Sequence, residues 1–291
     1  MIIDPNTLNG PDKQHYLQHI IAPRPICFAS TMDHAGHINL SPFSFFNLFS
    51  TNPPVVIFSP SRRVRDNTTK HTLQNVLEVP EVAINIVDYD MVQQVSLASC
   101  EYPKDANEFI KAGFTTEQSQ LIRPPLVKES KAKMECRVLE VKPLGSGGGA
   151  GNLVICEVLL LHINETLLDG NNKIDQRKLQ HVARLGGNWY CRVDTTNLFE
   201  VEKPNTQLGM GMDALPGVIR NSTVLTGNDL GILANGTGMP ARDPDFNDAV
   251  LAALPYPENN EERRLAVHQY AQQLIRSGET GKAWQVLLTL L

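Results

Sequence analysis

Residues 21–76 read IAPRPICFASTMDHAGHINLSPFSFFNLFSTNPPVVIFSPSRRVRDNTTKHTLQNV, and the rest of the chain is organised around them. Two apolar, strand-like runs, 26–30 and 55–59, each end in a hydroxyl residue. The polar turn Asp33-His34-Ala35-Gly36 lies between them, and the cationic, hydroxyl-rich segment 59–72 closes the stretch. Strand ends rich in hydroxyls and backbone N–H groups, followed by Arg and Lys, suit a phosphate-bearing planar cofactor. They offer donors for the dianion and a flat, partly apolar wall for a ring.

Outward from this stretch, the pattern is mostly strand. Runs at 26–31, 55–59, 83–87, 132–141 and 153–163 are rich in Val, Ile, Phe and Cys and are punctuated by polar residues, Gly or Pro. The nearly continuous apolar run LVICEVLLLHI at 153–163 predicts burial on both faces or at a subunit interface. Helices are predicted at 13–21, at 68–77 with Thr68 as N-cap, at 91–99, and for one turn at 105–111. Strands and helices do not alternate strictly. A small antiparallel barrel with helical decorations is therefore expected rather than a doubly wound parallel sheet. Near Pro204 the composition shifts toward Gly, Asn, Asp and Pro, and from about Glu258 it turns helical, with a break at Ser277-Gly278. This divides the chain into residues 1–204 and an appendage, 205–291, of loop and two short helices. Its apolar VLLTLL end is expected to pack on its own domain or on a partner.

The bulk composition narrows the function. Of 291 residues, 42% are hydrophobic and 20% charged, ordinary for a soluble domain with a sizeable core. A formal charge of −5 disfavours nucleic-acid binding, which needs a basic face. No apolar run approaches a membrane span, and the N-terminal MIIDPNTLNGPDKQHY lacks the pattern of a secretory signal. Five widely spaced cysteines without a CxxC fit a reducing cytoplasm, with Cys27, Cys136 and Cys156 as small buried apolar groups.

Several constellations have chemical potential. In the cationic segment, Ser59, Ser61, Arg62, Arg63, Arg65, Thr68, Thr69, Lys70 and Thr72 offer cations and hydroxyls for a phosphate. Spacing alone does not separate that role from a solvated basic loop. Residues 39–47, NLSPFSFFN, interleave small polar groups with aromatics, as the edge of a ring site does, and as a strand end with core Phe also does. GSGGGAG at 145–151 approaches a dinucleotide fingerprint. The following residues read as strand where that fingerprint needs a helix, so a connection between strands is expected. The histidine pairs His15/His19 and His34/His37 lack a cluster to complete a metal site, and neither GxSxG nor HExxH occurs. In HVARLGGNWY at 181–190 a cation, glycines and aromatics adjoin, a set able to reach a ligand or a partner subunit. Spacing favours a tight turn with Trp189 and Tyr190 in the core.

Together these residues resemble a known family. Arg24-Pro25-Ile26, Ser30-Thr31, Gly36, the run from Asn39 to Phe46, Lys70-His71-Thr72 and Asn75 match the pattern of flavin reductase-like proteins with an FMN-binding split barrel. So do Gly151-Asn152-Leu153-Val154 and Arg184-Leu185-Gly186-Gly187. The resemblance covers roughly residues 1–200 and implies a homodimer with FMN near the subunit interface. Thr31, Asn39, Ser41, Ser44 and Phe45 would face the isoalloxazine and ribityl chain. Ser59, Arg62, Lys70 and Thr72 would hold the phosphate, and Arg184 would approach from the interface. Where the family commonly has an acidic residue this chain has His71, which adds a donor. The implied activity is electron transfer from NAD(P)H through FMN to a small-molecule or protein acceptor, with no side chain as catalytic acid or base. The alternative is a non-enzymatic FMN-binding electron carrier without a nicotinamide site.

Overall fold

The structure, a computed structural model, describes residues 1–202, 208–254 and 260–291, and the boundary expected at Pro204 lies outside the described residues. The chain forms two compact units, Met1–Leu198 and Phe199–Leu291.

In chain order the first unit runs α1 (Gly10–Ile20), β1 (Cys27–Met32), β2 (Ile38–Phe43), β3 (Phe46–Thr51), β4 (Pro54–Phe58), α2 (His71–Glu78) and β5 (Glu81–Ile86). It continues with α3 (Val92–Leu97), α4 (Glu108–Ala112), β6 (Thr116–Glu117), β7 (Leu126–Val127), β8 (Ala132–Pro143), β9 (Asn152–Ile163), β10 (Val182–Arg184) and β11 (Tyr190–Arg192). Seven strands form one sheet in the order β2-β1-β5-β8-β9-β4-β3. Every neighbouring pair in it is antiparallel. The outer strands, β2 and β3, are joined by Ser44 and Phe45 alone. A connection that short reaches roughly 10 Å, so the sheet has to curl until its two edges meet. The result is a barrel split at Ser44-Phe45.

Alternation on the strands builds two cores. Cys27, Ala29, Val82, Ile84, Cys136, Val154 and Cys156 point inward with Phe43 and Phe58, and α2 caps them with Leu73 and Val76. Phe28 and Leu40 point the other way and pack under α3 and α4 with Val95 and Phe109. The cysteines behave as expected of apolar groups. Burial raises the Cys27 and Cys156 thiols and pushes Cys136 up to about 12.

Local expectations are met with differences that have physical causes. Residues 39–47, read as a ring-site edge or a strand end, span two strands, β2 and β3, because the chain turns at Ser44. Helix α2 starts at His71, not Thr68, and its N-cap is Lys70, without a side-chain capping bond. The Thr68 hydroxyl is instead taken up by Asp66 at 2.6 Å and Arg63 at 2.9 Å. Strand β9 is buried only at its start. Beyond Glu157 the five-residue β4 no longer covers it, and Leu161 is 60% exposed. The run 145–151 does connect two strands, β8 and β9. Trp189, expected in the core, is 74% exposed at the tip of the β10–β11 hairpin.

The second unit holds α5 (Gly217–Arg220), α6 (Gly227–Leu233), α7 (Ala249–Ala253), α8 (Asn260–Arg276) and α9 (Thr280–Leu288). Composition predicts the last two, and three short helices precede them. Val286, Leu287 and Leu288 from the VLLTLL end, with Trp284 just before it, are buried against Ile219, Leu233, Val267 and Ala271, so this segment packs on its own unit. Gly278, at φ +82, ends α8 in the left-handed conformation that a side chain resists. Asp248 ties three helices together. It accepts from the Leu251 N–H of α7 at 2.8 Å, from the Tyr270 hydroxyl of α8 at 2.9 Å and from the Lys282 ammonium of α9 at 2.8 Å. Burial disfavours its charge, but these donors outweigh burial and hold its carboxyl down at about 2. A depressed folded-state value stabilises the fold above the unfolded value near ~4 and loses that contribution as pH falls toward the folded value. Acid titration of the full chain followed by tryptophan fluorescence should therefore show an unfolding limb between about pH 4 and 2 that Asp248→Asn flattens. An unchanged limb in the variant would remove Asp248 as its source.

Candidate functional site

The site begins with a buried cation. Arg24, 6% exposed, precedes β1 and donates to the carbonyls of Gln18 at 2.6 Å, Ile21, and Leu185 at 2.8 Å, with a longer contact to Ser44 Oγ at 3.5 Å. Its backbone also bridges that of Arg184. The C-terminal end of α1, the barrel split and the β10–β11 hairpin are thereby fastened to one point. Burial, and then the neighbouring Arg184, lowers the Arg24 pKa.

These elements surround a cavity of about 540 Å³, within the range of small-molecule and cofactor sites. Of the residues singled out from sequence, Ser44, Phe45, Ser59, Lys70 and Arg184 meet there. Phe45 presents an exposed ring beside the hydroxyls of Ser44 and Ser59. Arg184 lies over the Tyr190 ring, 4.6 Å from its centroid, and donates to the Gly187 carbonyl at 2.8 Å. Asn39, Ser41 and Thr72 do not reach this cavity. They line a small adjoining one of about 20 Å³, again with Lys70. There the Thr72 hydroxyl donates to Asn39 Oδ1 at 2.5 Å, and Asn39 Nδ2 donates to the buried Glu108 carboxylate at 2.9 Å. Burial raises the Glu108 pKa. Thr31 lies behind, wholly buried, where its hydroxyl accepts from Asn75 at 3.2 Å.

The cationic segment sorts its charges by partner. Arg62 is held by Asn67, through Oδ1 at 2.6 Å and the carbonyl at 2.5 Å, and does not line the 540 Å³ cavity. Arg63 is fixed by Glu101 at 3.1 Å, Thr68 at 2.9 Å and the Thr69 carbonyl at 2.7 Å. Arg65 pairs with Asp66 and Glu101. The Lys70 ammonium alone of these cationic groups has neither a hydrogen bond nor an ion pair among the described residues. Burial, then Arg63, lowers its pKa, and Glu101 partly offsets the shift. An anion placed beside it would relieve both effects. His71 sits at the start of α2, and burial together with Arg63, Lys104 and Lys70 lowers its pKa, which favours the neutral ring.

Glycines let the backbones approach. The Gly-rich connection lies against the cationic segment: Arg62 N–H donates to the Ala150 carbonyl at 2.8 Å, and Gly149 N–H to the Arg62 carbonyl at 3.0 Å. A Cβ on Gly148 would stand 2.9 Å from the Val64 carbonyl oxygen, and one on Gly151 would stand 2.6 Å from Ser59 Oγ. Gly186 makes the hairpin turn compatible with α1, since a Cβ there would run into the His19 ring.

Gln14 and Gln18 of α1 and Ser96 and Ser99 around α3 complete the main cavity and were not singled out from sequence, whereas Ser61 of the cationic segment and Asn188 and Tyr190 of the 181–190 run also line it. The glutamines sit one helical turn apart, which signals a shared face, but only tertiary packing shows what that face looks at.

The pattern of the Flavin reductase like domain matches residues 20–178 of this chain. A protein from Halalkalibacterium halodurans is 32% identical over 206 residues, covering 70% of this chain and 97% of its own. Nitrilotriacetate monooxygenase component B from Bacillus cereus is similar in structure, with a TM-score of 0.64 and 30% identity over 69% of this chain and 98% of that one. A protein with a split barrel domain from Shewanella frigidimarina NCIMB 400 has a TM-score of 0.59 and 25% identity, over 68% of this chain and 96% of that one. The family match ends before the second unit begins.

The packing of α1 on the hairpin is testable by a double-mutant cycle. Gly186→Ala should lower the thermal midpoint, and His19→Ala should restore part of the loss by vacating the space the new methyl needs. Strictly additive effects of the two substitutions would mean that the ring and Gly186 are not in contact.

Proposed function

The chain belongs to the flavin reductase-like family, and we propose that it is an FMN-dependent oxidoreductase that passes electrons from NAD(P)H to a small-molecule or protein acceptor. The observation that carries this reading is Lys70, a cation without a partner among the described residues, at the edge of a cavity rich in hydroxyls and amides. The donor set fits FMN. Lys70 and the Ser59 hydroxyl would take the phosphate, joined by the backbone donors at the start of α2. Ser44 and the side-chain amides of Gln14, Gln18 and Asn188 would hold polar edges, and Phe45 would cover an apolar face. Arg62 and Thr72, already bonded within the protein, would shape the phosphate loop rather than touch the anion. When bound, the flavin supplies the redox chemistry, accepting a hydride from a reduced nicotinamide and delivering electrons onward. The residues of this chain bind and orient it. The cationic Arg184 beside the cavity favours added negative charge on the ring.

A homodimer completes the proposal. Leu48 and Phe49 on the edge strand β3 and Leu161 on the uncovered half of β9 are all more than half exposed, and a second copy of the chain would cover such groups.

Lys70→Ala should weaken FMN binding by roughly 1.5–3 kcal/mol, as for loss of a hydrogen bond to a charged group, read by titrating the purified protein with FMN. Unaltered affinity would take Lys70 out of the phosphate site. Anaerobic mixing of the FMN-loaded protein with NADH and with NADPH should bleach the flavin absorbance within seconds. A protein that stayed yellow with both would be a carrier rather than a reductase.

A further inference from the structure

A second cavity, about 650 Å³ in volume, adjoins Lys70. Lys13, Arg62, Arg63, Arg65 and Lys70 line it against a single carboxylate, Glu101. In a chain with a formal charge of −5, this is a local reversal of sign, and a concave surface focuses such a field. The cations differ in how firmly they are committed. Arg62 and Arg63 are bound into the loop, Arg63 with its side chain 14% exposed. Arg65 is 69% exposed and pairs with Asp66 and Glu101, both partly open to solvent. Ion pairs of this kind contribute little, so a phosphate dianion exchanges for them readily. The Lys13 ammonium, on α1, has no hydrogen bond or ion pair among the described residues. An Arg fork beside a free ammonium is a phosphate-monoester receptor, because the fork gives bidentate geometry and the ammonium adds a mobile charge.

The two cavities adjoin. Lys70, Phe45, Ser61, Gln14 and Gln18 border both. A dinucleotide with its nicotinamide at the flavin cavity therefore has a cationic channel for its other end. We infer that this second cavity seats the adenosine end of the nicotinamide donor, with Arg65 and Lys13 taking a 2′-phosphate, so that the protein prefers the phosphorylated dinucleotide. The inference rests on the reductase reading above and adds the donor's identity to it.

The test is calorimetric titration of the FMN-loaded full chain with adenosine 2′,5′-bisphosphate and with 5′-AMP, repeated on Arg65→Ala and Lys13→Ala. The bisphosphate should bind more tightly than AMP. Each substitution should weaken it by about tenfold, as for loss of one charge-assisted contact, and leave the affinities for AMP and FMN as they were. Equal binding of the two adenylates, or variants that bind the bisphosphate as the parent does, would overturn the assignment. A drop in FMN affinity in either variant would overturn it too, by giving the cavity to the flavin's own phosphate. A chain that binds FMN but not the bisphosphate loses this inference alone. A chain that binds no FMN loses the reading beneath it.

Discussion

The first unit depends on one buried guanidinium. Arg24 keeps its charge at any physiological pH, and sinking it to 6% exposure obliges the chain to supply acceptors. It finds them in the carbonyls of Gln18, Ile21 and Leu185, from two segments far apart in sequence. The carbonyls of Gln18 and Ile21 come from the end of α1, where such groups lack intrahelical partners. One side chain thereby meets its own need, closes a helix end, and fixes both the helix and the hairpin turn against the barrel split. Removing it would leave those carbonyls without donors and the walls of the cavity without a common anchor.

From that anchor the cavity follows. The barrel splits at Ser44-Phe45 because two residues are all that join the sheet's edge strands. The split exposes strand-end hydroxyls that a closed barrel would bury, and α1 and the β10–β11 hairpin wall the opening. Glu101 then sorts the charges. By engaging Arg63 and Arg65 it turns a run of like charges into an ordered loop, and the Lys70 ammonium is left without an ion pair among the described residues at the meeting of three cavities. A site for an anion needs such an imbalance. A fully paired cluster would hold nothing more.

The second unit is built on other terms. It has its own apolar core and its own polar hub at Asp248, and the family match does not extend into it. Its folding is satisfied internally, as the burial of the VLLTLL end illustrates.

Much of this was legible in the residues alone. Runs rich in Val, Ile, Phe and Cys, punctuated by polar residues, Gly or Pro, read as strands, and the lack of strict strand–helix alternation pointed to an antiparallel barrel, since these are local features of the chain. The motifs from Arg24 to Asn75 and at Arg184 indicated the family, and the thiols inside strand runs were recognisable as core. What stayed hidden depended on partners remote in sequence. Thr68 looked like a helix cap until Asp66 and Arg63 claimed its hydroxyl. Trp189 looked like core until the hairpin placed it at a tip, 74% exposed. Arg62 and Lys70 looked alike as phosphate ligands, and only folding distinguished them, by giving one Asn67 and the other no partner among the described residues. Sequence by itself determined which residue types were present and which local conformations they favoured, because propensity and periodicity act over a few residues. Tertiary structure decided which charge stayed unpaired and which amides faced the cavity, because ion pairing and burial are settled by whatever the fold brings within a few ångströms.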